Sequence, residues 1–468
     1  MLFPTVQFLV FFCVVFAAHW SLADRPRLDK TMLLLASWFF YASWHPSFLA
    51  LLIGSAANSW LAGFLLDRLP QGTRARRAVT AASVGLHLLT LGVFKYYGFF
   101  GPELLALGAR LGLALPLPLL EIVLPVGISF FTFQGISYVV DVARGDARAA
   151  RDPLDVFLYI AFFPHLVAGP IVRAAHFLPQ LAAPPRADRV PLVMAGLLIL
   201  GGLFKKTVIA NGLATGLVDP VFADPAAHGA LDLWLATYGY AVQIYCDFSA
   251  YSDIAIGVAA LLGFHFPRNF DQPYRARSLA EFWRRWHISL SSFLRDYLYR
   301  PLGGNRRGPR RTMANLLLVM LLGGLWHGAA WTFVLWGLLH GLALAVERAA
   351  GWKGAAGWRG LLAAILVFHL VCAGWILFRS PDAAMAGEVF AGLFLGAGEV
   401  GTRATGWTVG LILLGLALHW LPAGWLGRVE AAFRTWPAWA FGLLAGAALV
   451  AIDAIGPDGV APFIYFQF

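Results

Sequence analysis

The chain of 468 residues is 59% hydrophobic and only 13% charged, with a mean hydropathy of +0.70. Soluble proteins carry about 45–50% apolar and about 25% charged residues, so this composition belongs in a bilayer and length says nothing about soluble domains. The formal charge of +10 suits anionic headgroups or a phosphate-bearing donor beside a membrane better than nucleic acid.

Apolar stretches of the roughly 17–25 residues that span hydrocarbon lie near 3–22, 31–45, 47–66, 78–98, 103–120, 122–140 and 154–172. Others lie near 190–213, 232–262, 313–346, 360–378, 407–425 and 437–453. The pattern predicts an all-α polytopic membrane protein of about 10–13 membrane helices, some re-entrant or interfacial. Ser21, Leu22 and Ala23 resemble a signal cleavage site, but no Lys or Arg precedes the first apolar run. A retained first span is therefore expected. The basic loops Arg25/Arg27/Lys30 and Arg68/Arg74/Arg76/Arg77 are separated by two spans. Placing both in the cytoplasm puts the N-terminus outside. Cys13, Cys246 and Cys372 sit in apolar stretches without metal spacing and read as small buried hydrophobes.

Proline and glycine predict breaks at Leu124-Pro-Val-Gly127 and Phe163-Pro-His-Leu-Val-Ala-Gly-Pro170. The span 238–262 carries Gln243, Asp247 and Asp253. A carboxylate at that depth needs a partner, and the arginines of 268–300 are the expected source. Asp247 reads as an ion-pair member, or as a group that lines a pocket or orients a histidine. Lys205 and Lys206 read as snorkelling side chains or as contacts to donor phosphates.

Ser278-Leu-Ala-Glu281 is a capping box. A helix after it would place Leu279, Phe282, Trp283, Trp286, Leu290, Phe293, Leu294 and Tyr297 on one face. Arg284, Arg285, Arg295 and Asp296 lie off that face, so the helix 279–300 is expected at the interface. His287 falls on the edge of the stripe, near Arg284 and Ser291. It reads either as a packing anchor or as a functional group. His327 follows Gly323 and Gly324 inside the span 313–346. It reads as a general base or as a helix–helix hydrogen bond, since histidine moves protons near neutral pH and burial keeps it neutral. Trp331 is expected one turn on, on the same face, with Trp326 and Trp336 as aromatic walls. His340, about 140° around a regular helix from His327, is expected to pack elsewhere. His165 could line the same cavity, and the remaining histidines at span ends read as packing. No Gly-x-Ser-x-Gly, Walker, Rossmann or HExxH pattern occurs, so hydrolase, nucleotide and zinc chemistry lack support and no metal is expected.

Several motifs resemble the membrane-bound O-acyltransferases, in particular the alginate O-acetyltransferase branch. They are Asn269-Phe-Asp-Gln-Pro-Tyr274, Glu281-Phe-Trp-Arg-Arg-Trp-His-Ile-Ser-Leu290, Phe293-Leu-Arg-Asp-Tyr-Leu-Tyr-Arg-Pro-Leu-Gly-Gly-Asn305 and Gly324-Leu-Trp-His-Gly-Ala-Ala-Trp-Thr332. Supporting stretches include Gly202-Leu-Phe-Lys-Lys206, Gln243-Ile-Tyr-Cys-Asp-Phe-Ser249 and Phe463-Ile-Tyr-Phe-Gln-Phe468. The resemblance implies one integral-membrane domain over 1–468 around a funnel or tunnel. Its catalytic region would be 122–345, with scaffold helices at 1–121 and 346–468. It implies His327 as the catalytic histidine and His287 as a second one, with Trp331, Asp247, Arg284 and Arg285 as candidate substrate contacts. The implied reaction moves an acyl group, acetyl here, from acetyl-CoA or another cytoplasmic thioester to an exported polysaccharide, with no bound cofactor. Implied partners are periplasmic acetyltransferases and the polysaccharide synthesis machinery, at the inner membrane. D-alanyl transfer to a cell-wall polymer and a transporter or flippase are the alternative readings.

Overall fold

The computed structural model describes all residues except 117, 119, 184, 397–401, 458, 460–462 and 465–468. The described chain is helical, with no strand element. Seven of its helices are long and apolar enough to cross a membrane, or eight if the bent pair Gly406–Trp420 and Trp425–Phe433 is one span. The larger number expected from hydropathy included 3–22, which forms the shorter helix Val6–Ser21, and 154–172, which holds only the short helices Pro153–Ala161 and Phe163–Leu166. The stretch 103–120 reaches into residues outside the description.

The helices gather into two compact units. The first holds Met1, Thr5–Val190 and Leu261–Phe266. Its core is the helix Ile128–Arg144, which buries Phe131, Tyr138 and Val139. Gly127 starts that helix at φ 75°, and a Cβ there would lie 2.6 Å from the carbonyl oxygen of Leu166, so the expected break is built on a residue that must be glycine. After a second break, Phe163–Leu166 forms a single helical turn. Arg76, expected to contribute to a basic membrane loop, is instead buried. Its guanidinium donates to the carbonyls of Leu66, Leu69, Val142 and Ala143. It thereby satisfies the orphan carbonyls at two helix C-termini.

The second unit holds Leu2–Pro4, Pro191–Ala260 and Pro267–Phe468. The region 122–345 is thus shared between the units at about residue 190. At the centre of the second unit lies Ala230–Leu261, a helix of 32 residues. At 1.5 Å per residue it reaches roughly 48 Å, more than a hydrocarbon core. Most of it is buried in protein, so its polar residues meet protein groups. Ala438–Ile455, by contrast, buries almost none of its surface and is apolar all round, as a lipid-facing span must be.

Candidate active site

The stretch 313–346 does not form one helix. Gly308–His327 ends at His327, and Trp331–Ala349 begins after a three-residue turn. The two arms form an antiparallel hairpin. A Cβ at Gly324 would lie 2.2 Å from the Phe333 carbonyl oxygen, and one at Gly337 would lie 2.4 Å from that of Met320. Small residues are what let two backbones close to this distance. His327 therefore sits at the tip of the hairpin, buried, with its ring centroid 5.0 Å from Trp326, 5.0 Å from Trp336 and 5.2 Å from Phe378.

The break changes the register that one continuous helix implies, because helical angles do not carry across a reversal of the chain. Trp331 opens the second arm and is 53% exposed, and Trp326 and Trp336 pack against His327. His340 packs on Trp336, 4.7 Å from its ring. The space beside Gly328 is occupied too, since a Cβ there would lie 1.9 Å from the Phe333 ring.

The expected helix 279–300 is also broken. Leu279–Arg285 and Ile288–Phe293 are separate helices, followed by a π-helical stretch at Leu294–Tyr299. His287 occupies the break at φ 40° and ψ 57°. This left-handed conformation costs a non-glycine residue about 1–3 kcal/mol and needs neighbours that enforce it. Asn269 supplies them. Its carbonyl accepts from Ile288 N–H at 2.9 Å, and its Oδ1 accepts from Ser289 N–H at 3.1 Å and the Ser289 hydroxyl at 2.9 Å. The same Oδ1 lies 3.2 Å from His287 Nδ1. An oxygen can only accept, so Nδ1 carries the ring proton and Nε2 keeps its lone pair. Among the described residues Nε2 has no hydrogen-bond partner. The ring is fully buried rather than at a stripe's edge, against Phe248 at 4.6 Å and Trp326 at 6.0 Å. Burial lowers its pKa, which favours the neutral form. Asn269 was visible only as part of a motif, because its role depends on a segment eighteen residues away.

Trp326 therefore contacts both histidine rings, at 6.0 Å and 5.0 Å. The structure brings together His287 and His327, forty residues apart in sequence, by breaking both of the helices expected to carry them.

Half of the capping box forms. Ser278 Oγ accepts from Glu281 N–H at 3.0 Å, while Glu281 takes the Arg277 N–H at 2.9 Å. The first turn is capped further by Glu347, whose carboxylate accepts from Leu279 N–H at 2.5 Å and Ala280 N–H at 3.0 Å.

Asp247 does not pair with the arginines of 268–300. Lys206 Nζ lies 2.8 Å from its Oδ1, and Ile464 N–H donates to its Oδ2 at 2.8 Å. Lys205 pairs with Asp253 at 2.6 Å. Both lysines thus meet carboxylates of Ala230–Leu261, the nearest anions to their own helix. Phe463 and Ile464 are buried, with Phe463 5.7 Å from Phe248. The rest of that motif, 465–468, lies outside the described residues. His165 belongs to the first unit, with Nε2 2.8 Å from the Tyr159 carbonyl oxygen.

Of the candidate arginines, Arg284 is exposed. Arg285 bonds Glu281 at 2.9 Å and lines a cleft of about 430 Å³ with Arg275, Arg277, Glu281 and Lys353. Four cations facing one carboxylate give the cleft a net positive field, suited to an anionic group.

Apolar spans around a buried histidine pair define a polytopic membrane protein. Residues 147–351 match the model of the membrane-bound O-acyltransferase family. The chain is 41% identical over 397 residues to the probable alginate O-acetylase AlgI of Pseudomonas aeruginosa, covering 84% of this chain and 75% of that protein. It is 35% identical over 426 residues to the peptidoglycan O-acetyltransferase of Helicobacter pylori, covering 84% and 80%. The teichoic acid D-alanyltransferase of Bacillus subtilis is 29% identical over 272 residues, covering 54% and 68%. The chain belongs to the membrane-bound O-acyltransferase family and is an O-acyltransferase. Membership decides between acyl transfer and transport.

Proposed function

We propose that this protein takes an acetyl group from a cytoplasmic thioester, acetyl-CoA or another acetyl thioester, for O-acetylation of an exported polysaccharide. The observation that carries this reading is that buried His287 and His327 both pack against Trp326. Acetyl is favoured over D-alanyl because the relatives named for O-acetylation match more of the chain at higher identity.

In this reading a neutral imidazole, His327, removes the proton from the attacking hydroxyl. The hydroxyl oxygen forms a bond to the thioester carbonyl carbon, the C–S bond breaks, and the thiolate leaves and takes up the proton. His287, held by Asn269 with Nε2 as its free lone pair, is the second proton-handling group. The cleft of Arg275, Arg277, Arg285 and Lys353 meets the donor's phosphates. Work on an exported polymer from a cytoplasmic donor calls for an inner-membrane site. It also calls for periplasmic acetyltransferase partners and the polysaccharide synthesis machinery.

The test is ester content of the exported polysaccharide in cells carrying His327→Ala. Loss of acetyl esters at normal membrane abundance is expected. Retained acetylation would remove His327 from the reaction.

A further inference from the structure

The first unit encloses a polar cavity at membrane depth. It has a volume of about 180 Å³ and lies between the helices Leu49–Arg68, Arg74–Leu91 and Ile128–Arg144. Gly54, Ser55, Asn58, His87, Thr90 and Thr132 are in its lining. The first two helices belong to apolar spans that leave most of their residues unburied by protein. On the first span the lining stands about 15–27 Å from Arg68, and on the second His87 and Thr90 stand about 20 and 24 Å from Arg74. Both lie within a hydrocarbon layer of about 30 Å. Polar groups gathered at that depth point to function by default.

The cavity is open on its lipid side. A Cβ at Gly54 would meet nothing within 4 Å, and Gly54 and Leu86 at the mouth are exposed. The far wall is His87. Its ring nitrogens lie 3.0 Å from the Ser59 hydroxyl and 3.4 Å from that of Ser55, and a Cβ at Gly135 would lie 2.5 Å from its ring. The imidazole is thus pressed on the helix Ile128–Arg144 with both nitrogens occupied, and it serves as a wall.

The bonding capacity lies with other residues. Thr132 is only 1% exposed, yet its hydroxyl has no hydrogen-bond partner among the described residues. Asn58 Nδ2 donates to the Ser83 carbonyl at 3.1 Å, which leaves its Oδ1 without a partner. The Thr90 hydroxyl gives its proton to the Leu86 carbonyl at 2.9 Å and keeps lone pairs. The cavity therefore offers one free donor and an excess of acceptors.

This chemistry selects the guest. Among the described residues no Asp, Glu, Lys or Arg lines the cavity, so an ammonium or a phosphate would be buried without a counter-charge. The guest is uncharged. Excess acceptors call for a group that donates as well as accepts, which is a hydroxyl. The volume falls below the roughly 300–1,000 Å³ that encloses a drug-sized ligand, so only a head group enters and its chain passes out beside Gly54.

We propose that this cavity binds the hydroxyl head of an uncharged membrane alcohol, such as a diacylglycerol or a long-chain alcohol. Asn58 Oδ1 accepts from that hydroxyl and the Thr132 hydroxyl donates to it. The site is independent of the acyl-transfer reading above.

The experiment uses the full-length protein in phosphatidylcholine nanodiscs with 1-hexadecanol carrying a photoreactive diazirine near its hydroxyl end. After irradiation, mass spectrometry of peptides should find the label concentrated in residues 50–58 and 86–90. Excess unlabelled hexadecanol should displace it, and hexadecyl methyl ether, which accepts but cannot donate, should not. Thr132→Val keeps the shape and removes one hydrogen bond, so labelling should fall about 3–10-fold. Gly54→Leu should abolish it by filling the mouth, with an unchanged melting temperature. Label spread evenly over all lipid-facing helices overturns the site, as does equal displacement by the ether. Undiminished labelling of Gly54→Leu overturns it too. No label at all in the wild type leaves a cavity that holds water only and refutes the proposal. Should Gly54→Leu fail to fold, Thr132→Val decides on the same peptides.

Discussion

Both units bury histidines among apolar residues, yet the surroundings differ. In the first, His19 Nδ1 lies 2.7 Å from Asp29, and His87 lies 3.0 Å from the Ser59 hydroxyl and 3.4 Å from that of Ser55. In the second, His287 is fixed on one nitrogen only and His340 on neither, and one indole touches both members of each successive pair of His287, His327 and His340. Burial is common to both units. In the first unit His87 has both ring nitrogens engaged, while His19 and His165 each keep one without a partner among the described residues. The indoles that each touch two of its histidines, rather than a free nitrogen, set the second unit apart.

The sharpest way to break this comparison is His287→Asn. Asparagine tolerates the left-handed backbone but lacks the Nε2 lone pair. Acetyl transfer should fall about 10²–10⁴-fold, the usual worth of a general acid or base, with little change in melting temperature. A near-normal rate would place His287 with the structural histidines. Lys206→Met comes next. It leaves Asp247 as a buried charge without its cation, and breaking such a pair costs about 3–5 kcal/mol. Denaturation in detergent should show that loss, and a variant as stable as the wild type would mean that the Ile464 N–H alone sustains the carboxylate.

His87→Leu sharpens the comparison from the other side. It leaves the buried Ser55 hydroxyl without its partner, while Ser59 still donates to the Ser55 carbonyl, so stability should fall by about 1–3 kcal/mol while the rate per folded molecule stays the same. A drop in kcat without a loss of stability would give the first unit a chemical role. The smallest effect concerns acid. Burial alone would raise the pKa of Glu281, but the Arg277 N–H and the Arg285 guanidinium outweigh it and hold the carboxyl below its ordinary value. Its stabilising contribution is therefore complete above the ordinary carboxylate pKa of about 4.3 and fades as pH falls through the lower folded value. Hydrogen exchange in Leu279–Arg285 should quicken over that acid window and not above it. Exchange that is flat with pH would show that the Glu347 cap holds the turn by itself.

Much was legible in the chain alone. Composition placed it in the bilayer, and Gly127 and Pro164 marked real breaks. The paired histidine motifs pointed to the right family, because residue type and spacing are properties of the sequence. The conformation around those histidines was not legible. Periodicity assumes a continuous helix, and neither His287 nor His327 lies inside one. His287 is held at positive φ by Asn269, and the turn after His327 is closed by glycines that match the facing arm only once the hairpin exists. The partner of Asp247 was misjudged for a related reason, since the largest supply of cations in sequence is not the nearest in space. Local pattern thus determined which groups enter the membrane. Only tertiary packing decided which of them meet, because a buried polar atom takes whichever partner the fold brings within about 3 Å.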